Sequence, residues 1–405
     1  MRVLSFLCAC LLPLAASAAN PSVRAITAFV ELDATRYEQQ LADTFGKLRQ
    51  AKTLFEKSGF PVQTVRVTTQ PFPRYVRGLN HEEALLLLLR IAELGRKNET
   101  LINIGPAALD DQPDAAAVEL LGELHSRNAQ LDASMIVAGE KGVYWNTVRA
   151  AARHVSRVAK ASARSQGTFS FAATAFLGPG APFFPGSWHT SDAGRFSVGL
   201  QSASVVAEVF SRSGVSVQNA ALELAASLSA HAKAVHGIAR EVERETGLAY
   251  WGFDPTPAPL KEVSIGAAME ALFRTSFGSA GTLTAAAIVT EALRQVPGPI
   301  VGYSGLMLPV MEDSRIAQRW TEGAINLDSL LAYSAVCGTG LDTIPLPGDV
   351  TEEQLARMIG DVAVLAHKWK KPLTARLQPV HGRKAGEMSA FDDPYLVNVK
   401  LQPVR

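Results

Sequence analysis

The sequence predicts an α/β fold of about ten strands that close into a single barrel, with helices on the outside. Three observations support this prediction. Strand-like runs rich in β-branched residues alternate with amphipathic helical runs from Val23 onward. No linker rich in Ser, Gly or charged residues interrupts the 405 residues. Few of the strand-like runs resemble edge strands, which favours a closed sheet over an open one.

The expected strands are short runs in which Val, Ile and Leu alternate with other residues or form an apolar block. Each is bounded by turn-forming residues or by a helical run, as parallel βα units require. They cover residues 23–32, 62–69, 100–104, 133–138, 169–177, 195–201, 249–253, 305–310, 341–346 and 373–380.

The expected helices carry apolar residues at steps of three and four. The longest has a stripe of this kind that includes Leu224, Leu228 and Val235, which indicates packing within the domain rather than a short coiled-coil contact. Residues 178–189 are too rich in Gly and Pro for a regular element and predict an ordered loop or lid. The helices cover residues 36–57, 81–96, 115–127, 144–164, 217–245, 265–274, 282–295, 327–336 and 352–368.

The charge balance excludes one class of partner. The chain has 39 Lys plus Arg and 38 Asp plus Glu, so its formal net charge is +1. Binding of nucleic acid depends on an excess of basic residues that displaces counterions from phosphates. We therefore expect a small-molecule ligand and no nucleic acid, and the sequence leaves a homo-oligomer open.

The N-terminus has the three parts of a secretory signal peptide. Arg2 supplies a positive charge, residues 3–16 are mostly apolar, and small residues end at Ala18. The alternative is a membrane anchor, but the apolar run is shorter than the ~20 residues of a bilayer span. We expect a signal peptide over residues 1–18, one barrel domain over residues 19–405, a secreted or periplasmic location and no membrane span after cleavage.

Ligands of parallel α/β folds bind beyond the carboxyl ends of strands, so the turns after strands are candidate sites. Asp254 begins a segment stiffened by alternate prolines and suits acid/base or metal chemistry, or simply caps its turn. Glu312 and Asp313 are adjacent acids after an apolar run. Their repulsion predicts a raised pKa or a divalent-cation site, whereas the alternative is a helix N-cap.

Two further turns carry small and reactive residues. Gly278, Ser279, Gly281 and Thr282 precede a helix and can bind an anion at its N-terminus, although small residues are also typical of tight helix packing. Cys337 is joined to Asp342 through a glycine hairpin. Single buried cysteines are usually inert, and no His or Lys lies within ten residues of Cys337. We therefore expect its thiol to line or support the site as a small, partly buried group rather than act as a nucleophile.

These turns, with residues 371–377 and 379–387, resemble the domain-of-unknown-function family numbered 711. Residues 184–185 and 196–201 also look like that family, and the resemblance runs from about Val23 to the C-terminus. It implies a barrel similar to pyruvate formate-lyase and other glycyl radical enzymes, and no established activity. Residues 383–387 do not match the Arg-Val-x-Gly-Tyr motif that carries the glycyl radical, so radical chemistry is not expected.

Two functions follow as hypotheses. The first is a non-radical enzyme acting on a small anionic metabolite, in which carboxylates at the barrel mouth move protons. The same acids can bind a divalent cation such as Mg²⁺ or Ca²⁺. The second is a small-molecule binding protein without catalysis. The expected catalytic residues are Glu312, Asp313, Asp342, Asp254 and Cys337, and the expected ligand-binding residues are Gly278, Ser279, Gly281, Thr282, Ser304, Arg376, Lys384 and His189.

Overall fold

The structure is a computed structural model that describes residues 20–404. The expected signal peptide therefore lies outside the described residues. Ten strands form one sheet. In chain order they are β1 (Val23–Val30), β2 (Val65–Thr69), β3 (Thr100–Ala108), β4 (Leu131–Gly139), β5 (Gly142–Val143), β6 (Phe171–Ala175), β7 (Arg195–Leu200), β8 (Ala249–Asp254), β9 (Gly340–Pro347) and β10 (Leu373–Val380).

The sheet consists of two groups of strands that run in opposite directions. Its strand order is β8-β7-β1-β2-β3-β4-β6-β10-β9, and the short β5 pairs with β4. Strands β1, β2, β3, β4 and β6 are mutually parallel. Strand β7 is antiparallel to β1, and β10 is antiparallel to β6. The amino ends of the first group therefore lie at the same side of the sheet as the carboxyl ends of the second.

Eleven α-helices are found within residues 20–404. Four of the ten strands, β2, β6, β9 and β10, are buried along their whole length, and most residues of every other strand except β5 are buried, as expected when helices cover a sheet. The helices are α1 (Tyr37–Lys57), α2 (His81–Lys97), α3 (Ala115–Ser126), α4 (Trp145–Ala161), α5 (Ala203–Ser211), α6 (Ala220–Thr246), α7 (Ile265–Phe273), α8 (Thr282–Arg294), α9 (Ser314–Thr321), α10 (Leu327–Val336) and α11 (Glu352–Trp369).

Local capping explains where several helices begin and end. Asn80 starts α2 with a capping box: its side chain accepts a hydrogen bond from the Glu83 N–H, and Glu83 accepts one from the Asn80 N–H. Thr351 and Gln354 form the same arrangement at α11. Helix α6 ends at Gly247, whose φ of +70° is a left-handed conformation that glycine adopts at little cost.

The predicted α/β class is confirmed, with a mostly parallel sheet of ten strands, but the closed barrel is not. The hydrogen-bonded path of strands ends at β8 and β9, which do not pair with each other. The segment between β8 and β9 forms one isolated parallel bridge with each of them, from Ile300 to Phe253 of β8 and from Pro309 to Asp342 of β9. Similarity to pyruvate formate-lyase is not shown either.

The strand expected at residues 305–310 is wrong, and this run is irregular in the structure. Its backbone groups bond to side chains and loops instead of a ladder: the Gly305 N–H donates to Thr256 Oγ1, and the Leu306 carbonyl accepts from Thr339 Oγ1. Two helices that the sequence did not predict, α5 and α9, follow β7 and Asp313. No helix among residues 20–404 is both long enough and apolar enough to cross a bilayer.

Candidate active site

A cavity at the sheet has a volume of about 270 Å³. It is lined by the amino-terminal regions of β1 to β4 and β6, by residues of β9 and β10, and by loops around residues 258, 303 and 312. It lies near the amino ends of the first strand group, whereas we expected a site at carboxyl ends. The opposed strand groups explain the difference, because the loop at residues 258–259 follows the carboxyl end of β8.

Charged side chains from several strands meet in this cavity. The arginines are Arg24, Arg66 and Arg376, and the carboxylates include Asp132, Glu312 and Asp342. Five of these six side chains belong to residues that are no more than 9% exposed. Buried charges are stable only when they are paired or when a ligand compensates them. The pairing of each arginine therefore indicates which group is free to bind a ligand.

Arg376 is the most strongly paired of the three. Its Nη1 lies 2.9 Å from Asp342 Oδ1 and 3.3 Å from Glu312 Oε1. Burial raises the pKa of Asp342 and the Arg376 charge opposes that rise, while the two carboxylates raise the pKa of Arg376. The structure thus brings together three residues that the sequence placed in the site.

Arg24 completes this network from the opposite wall. Its Nη2 lies 4.0 Å from Glu312 Oε2, and its Nη1 donates a hydrogen bond of 3.2 Å to Gln63 Oε1. The guanidinium carbon also lies 5.5 Å from the ring centroid of Tyr395. Arg24 is therefore shared among a carboxylate, an amide and an aromatic face.

Arg66 differs from Arg24 and Arg376, because no residue of the described chain forms an ion pair with it. Its Nε donates to Thr64 Oγ1 at 2.9 Å, and its guanidinium carbon lies 4.9 Å from the centroid of the Phe184 ring. Burial, together with the neighbouring charge of Arg24, lowers the pKa of Arg66 to about 9. An anionic ligand would reverse this shift, so Arg66 is the arginine of the cavity that could hold an anion.

Asp132 is the candidate acid/base group. Burial raises the pKa of its carboxyl to about 7, although Arg66 and Arg376 oppose the rise. None of the residues 20–404 donates a hydrogen bond to this carboxyl group. A carboxyl that titrates near neutral pH can both donate and accept a proton under ordinary conditions.

Asp254 has the structural role that its alternative interpretation described. It does not line the cavity, and its carboxylate accepts hydrogen bonds from the N–H groups of Thr256, Tyr303 and Ser304 at 2.8–3.1 Å. Burial raises its pKa to about 6. The Tyr303 that it positions lines the cavity, and the Tyr303 hydroxyl lies 2.7 Å from Thr374 Oγ1. Asp254 therefore shapes the cavity wall from outside.

Asp313 caps two helices and does not line the cavity. Its Oδ1 accepts hydrogen bonds from the Arg315 and Ile316 N–H groups at the start of α9 and from Ser264 Oγ. Its Oδ2 accepts from the N–H of Ile265 at the start of α7 at 2.7 Å. The N-cap alternative thus describes the structure, and Glu312 alone of the adjacent pair lies in the cavity.

Asp313→Ala is expected to lower the free energy of unfolding by about 2–3 kcal/mol, because a single lost N-cap costs about 1 kcal/mol and Asp313 serves two helices. Urea unfolding followed by circular dichroism measures this change. Asn326→Ala removes the cap of α10 alone and is the matched control, with an expected cost near ~1 kcal/mol. Equal costs for the two variants would contradict the double cap.

Cys337 is buried and only 1% exposed, whereas we expected a partly buried group that lines or supports the site. It is absent from the cavity wall, although Thr339 of the same hairpin is part of it. Burial raises the pKa of the thiol, and Lys371 Nζ contacts the Cys337 carbonyl. The thiol is therefore poorly placed to act as a nucleophile from this position.

Cys337→Ser is expected to keep the fold and any ligand affinity, with a loss of unfolding free energy of about 1–2 kcal/mol from burying a hydroxyl. Alkylation of the wild-type thiol by iodoacetamide at pH 7 should be slow in the folded protein and fast in urea. Rapid alkylation of the folded protein, with loss of a demonstrated activity, would show that the thiol is reactive.

The other expected ligand-binding residues do not line the cavity. In the Gly278–Thr282 loop, Thr282 Oγ1 accepts a hydrogen bond from the Gly278 N–H and donates one to the Ser279 carbonyl. The loop therefore satisfies these two backbone groups with its own hydroxyl. His189 is buried beside Phe29, and its Nε2 lies 3.1 Å from the Val30 carbonyl. Three further residues are placed elsewhere: Gly281 caps α8, Ser304 belongs to the loop held by Asp254, and Lys384 is exposed.

Sequence reasoning missed Arg24, Arg66 and Asp132, although a signal was present. Each is the second residue of its strand, and each is flanked by apolar residues on both sides. A charged residue inside such a run must face either a partner or a ligand. Inward-facing charges on strands are therefore a better guide to this site than the turns after the strands.

The described part of the chain shows no cluster of ligands for the divalent cation that the sequence left open. Within residues 20–404, no group of three or more His, Cys, Asp or Glu is arranged to hold a metal ion. Glu312 and Asp342, which the sequence left open as ligands of a cation, form ion pairs with Arg376.

Two buried histidines, His125 and His154, form a pair next to the start of β4. His125 Nδ1 is 3.1 Å from His154 Nε2, and His125 Nε2 is 2.9 Å from the Leu131 carbonyl, one residue before Asp132. Burial lowers the pKa of His125 to about 4 and lowers that of His154 as well. Both rings are therefore neutral at neutral pH and support the strand that carries Asp132.

This pair predicts acid sensitivity. The His125 pKa is lower in the folded state than its usual value near 6.5, so its contribution to stability is complete above pH 6.5 and is lost as the pH falls toward 4. We expect a loss of about 3 kcal/mol of unfolding free energy over that interval from His125. His125→Gln should flatten this dependence in urea unfolding measurements, and the exposed His381→Gln should not. An unchanged slope in His125→Gln would exclude the histidine as the cause.

Together, the fold and the cavity define an α/β protein with a mostly parallel sheet and a cavity lined by charged side chains. The chain belongs to the family described as "Uncharacterised ACR (DUF711)", whose profile matches residues 16–392. A "UPF0210 protein" of Pyrobaculum arsenaticum is 31% identical over 83% of this chain and 78% of its own length. The "UPF0210 protein MJ1665" of Methanocaldococcus jannaschii is 24% identical over 88% of this chain and 83% of its own length.

Proposed function

We propose that this protein is an enzyme that transfers a proton to or from a small anionic molecule, without radical chemistry. Arg66 binds the anionic group, and Asp132 is the general acid or base. The observation that carries this proposal is the unpaired, buried guanidinium of Arg66 in one cavity with a carboxyl whose pKa is raised to about 7. A perturbed carboxyl beside an unmet charge in a concave site is typical of catalytic centres.

The remaining charges support the division of roles. Arg376 and Arg24 are engaged with Glu312 and Asp342, so they form a fixed charged wall rather than a free anchor. Tyr303 and Thr374 add hydroxyl groups to the same wall. A substrate held by Arg66 would therefore meet a preorganised polar surface, which is the arrangement that stabilises developing charge in a transition state.

The test uses a metabolite extract as the substrate source. Purified full-length protein is incubated with the extract, and small molecules that are consumed or formed are measured by mass spectrometry. We expect the wild type to deplete a small anionic compound and Arg66→Gln to deplete it at least about a hundredfold more slowly, because a charged hydrogen-bond anchor is lost. Arg49→Gln, an exposed arginine on α1, is the control and should match the wild type.

A binding protein without catalysis is the alternative outcome. In that case the extract composition is unchanged by the wild type, while an anionic compound is retained on the protein and released on denaturation. That result would refute the enzyme and keep the anion site. Equal behaviour of Arg66→Gln and the wild type would refute Arg66 as the anchor.

We further propose that the sheet closes into a barrel of the type implied by the resemblance to pyruvate formate-lyase. The single bridges from Ile300 to β8 and from Pro309 to β9 support closure through the irregular segment between them. Export of the chain is also a proposal, supported by the composition of residues 1–18 alone. An N-terminus starting near Ala19 in the protein recovered from outside the cytoplasm would support it, and an intact N-terminus would refute it.

A further inference from the structure

We infer that the ligand of this cavity is an amino acid bound as a zwitterion, with an apolar side chain. This inference rests on the proposed function and names its substrate class. It depends on three neighbouring parts of the cavity wall: a free cationic group, an acidic group of side chains and an apolar end.

The cationic part is Arg66. Arg24 and Arg376 lie within ion-pair distance of Glu312 or Asp342. Arg66 is the third arginine of the cavity wall, and no carboxylate of residues 20–404 forms an ion pair with it. Arg66 is only 6% exposed, so bulk solvent does not compensate its charge. A carboxylate of the ligand supplies the missing partner and matches the planar guanidinium.

The acidic part consists of Asp132 and Asp393, and the neutral amide of Gln166 lies with them in the cavity wall. Asp393 Oδ2 accepts a 3.0 Å hydrogen bond from Gln166 Nε2, and its Oδ1 accepts one from the Tyr395 N–H. The Gln166 Oε1 is buried and accepts no hydrogen bond within the described chain. The Asp132 carboxyl and Gln166 Oε1 are therefore acceptors to which no group of the described chain donates, and an ammonium group would provide the donor.

The sheet separates the two charged parts by a distance that fits a small molecule. Arg66 on β2 pairs with Leu101 of β3, and Asp132 on β4 pairs with Asn103 of β3, so their backbones are two strands and two residues apart, roughly 12 Å. Leu101 on β3 pairs with Arg66 and lines the cavity between them. A ligand that bridges the two strands places its carboxylate toward Arg66 and its ammonium toward Asp132.

The apolar part identifies the third substituent. Phe183, Ala258 and Met307 line the cavity and belong to a small hydrophobic cluster separate from the main core. A side chain without polar groups is favoured there, because a polar one would be buried without partners. A phosphate ester fits less well, since its two negative charges would lie close to Asp132 and Asp393.

The test compares three molecules of nearly the same shape by isothermal titration calorimetry with the full-length protein. L-leucine carries both charges, 4-methylpentanoate lacks the ammonium group and 3-methylbutylamine lacks the carboxylate. We expect L-leucine to bind at least about tenfold more tightly than either. Asp393→Asn should reduce the preference for L-leucine over 4-methylpentanoate to about twofold or less, while Asp349→Asn, an exposed control, should preserve it.

Each outcome decides between the two proposals. If 4-methylpentanoate binds as tightly as L-leucine and Arg66→Gln weakens both, the zwitterion is refuted and the anion site stands. If both acids bind and Arg66→Gln weakens neither, the proposed function fails together with the inference. If L-leucine does not bind, the inference is refuted, and the extract assay still decides the proposed function.

Discussion

Arg376→Met is expected to lower the free energy of unfolding by about 3–5 kcal/mol at pH 7, the cost typical of removing one partner from a buried ion network. Methionine has a similar length but leaves Glu312 and Asp342 buried without their nearest cation. Urea unfolding followed by circular dichroism measures the difference. Arg383→Met, an exposed arginine in the loop after β10, is the matched control and should change stability by less than ~0.5 kcal/mol.

The pH dependence separates this charge effect from lost packing. In the wild type, burial raises the pKa of Asp342 and the charge of Arg376 opposes that rise. In Arg376→Met this opposition is lost, so we expect the pKa of Asp342 to rise further. When the pKa of a carboxyl is raised in the folded state, ionisation of that carboxyl destabilises the protein. The free energy of unfolding therefore falls as the pH increases. The deficit of the variant should therefore shrink between pH 7 and pH 5. A deficit that is constant over this range would indicate packing alone.

Asp132→Asn is expected to lower turnover of the depleted compound by roughly 10²–10⁴-fold, the range typical of a lost general acid or base. The amide keeps the shape of the side chain and can still contact a ligand, so binding should persist. The wild-type pH–rate profile should contain a limb near pH 7 that the variant lacks, because burial raises the pKa of Asp132 to about 7. Stopped assays of kcat/KM between pH 5 and 9 measure both effects.

Stability distinguishes a lost chemical group from a damaged fold. Since the ionised form of Asp132 is disfavoured in the folded state, Asp132→Asn should be at least as stable as the wild type at pH 8. Asp349→Asn is the exposed control for both stability and turnover. An Asp132→Asn protein with wild-type turnover and an unchanged pH profile would remove Asp132 from the reaction.

Much of the fold could be predicted because local patterns and packing agree. Helix α10 and strand β10 have the expected bounds, and most others differ by a few residues. The prediction failed at residues 305–310, an apolar run whose backbone bonds to the Thr256 and Thr339 side chains and forms only one isolated bridge, from Pro309 to Asp342 of β9. Apolar composition indicates burial there, but it does not determine which groups accept the backbone hydrogen bonds.

The site was only partly predictable for a related reason. Glu312, Asp342 and Arg376 were identified from acids in turns and from the resemblance, but the rule that sites follow carboxyl ends excluded Arg66 and Asp132. That rule assumes that all strands run in one direction. Here β7 and β10 reverse direction against β1 and β6, a property of long-range pairing that no local pattern encodes.

The proposed function requires a carboxyl group in this cavity that exchanges a proton at neutral pH. Titration of the Asp132 carboxyl carbon by ¹³C NMR tests it without any knowledge of the substrate. Aspartate-labelled wild type and Asp132→Asn are compared so that the difference assigns the signal. We expect a midpoint at about pH 7. A midpoint at the ordinary value near ~3.9 would contradict it.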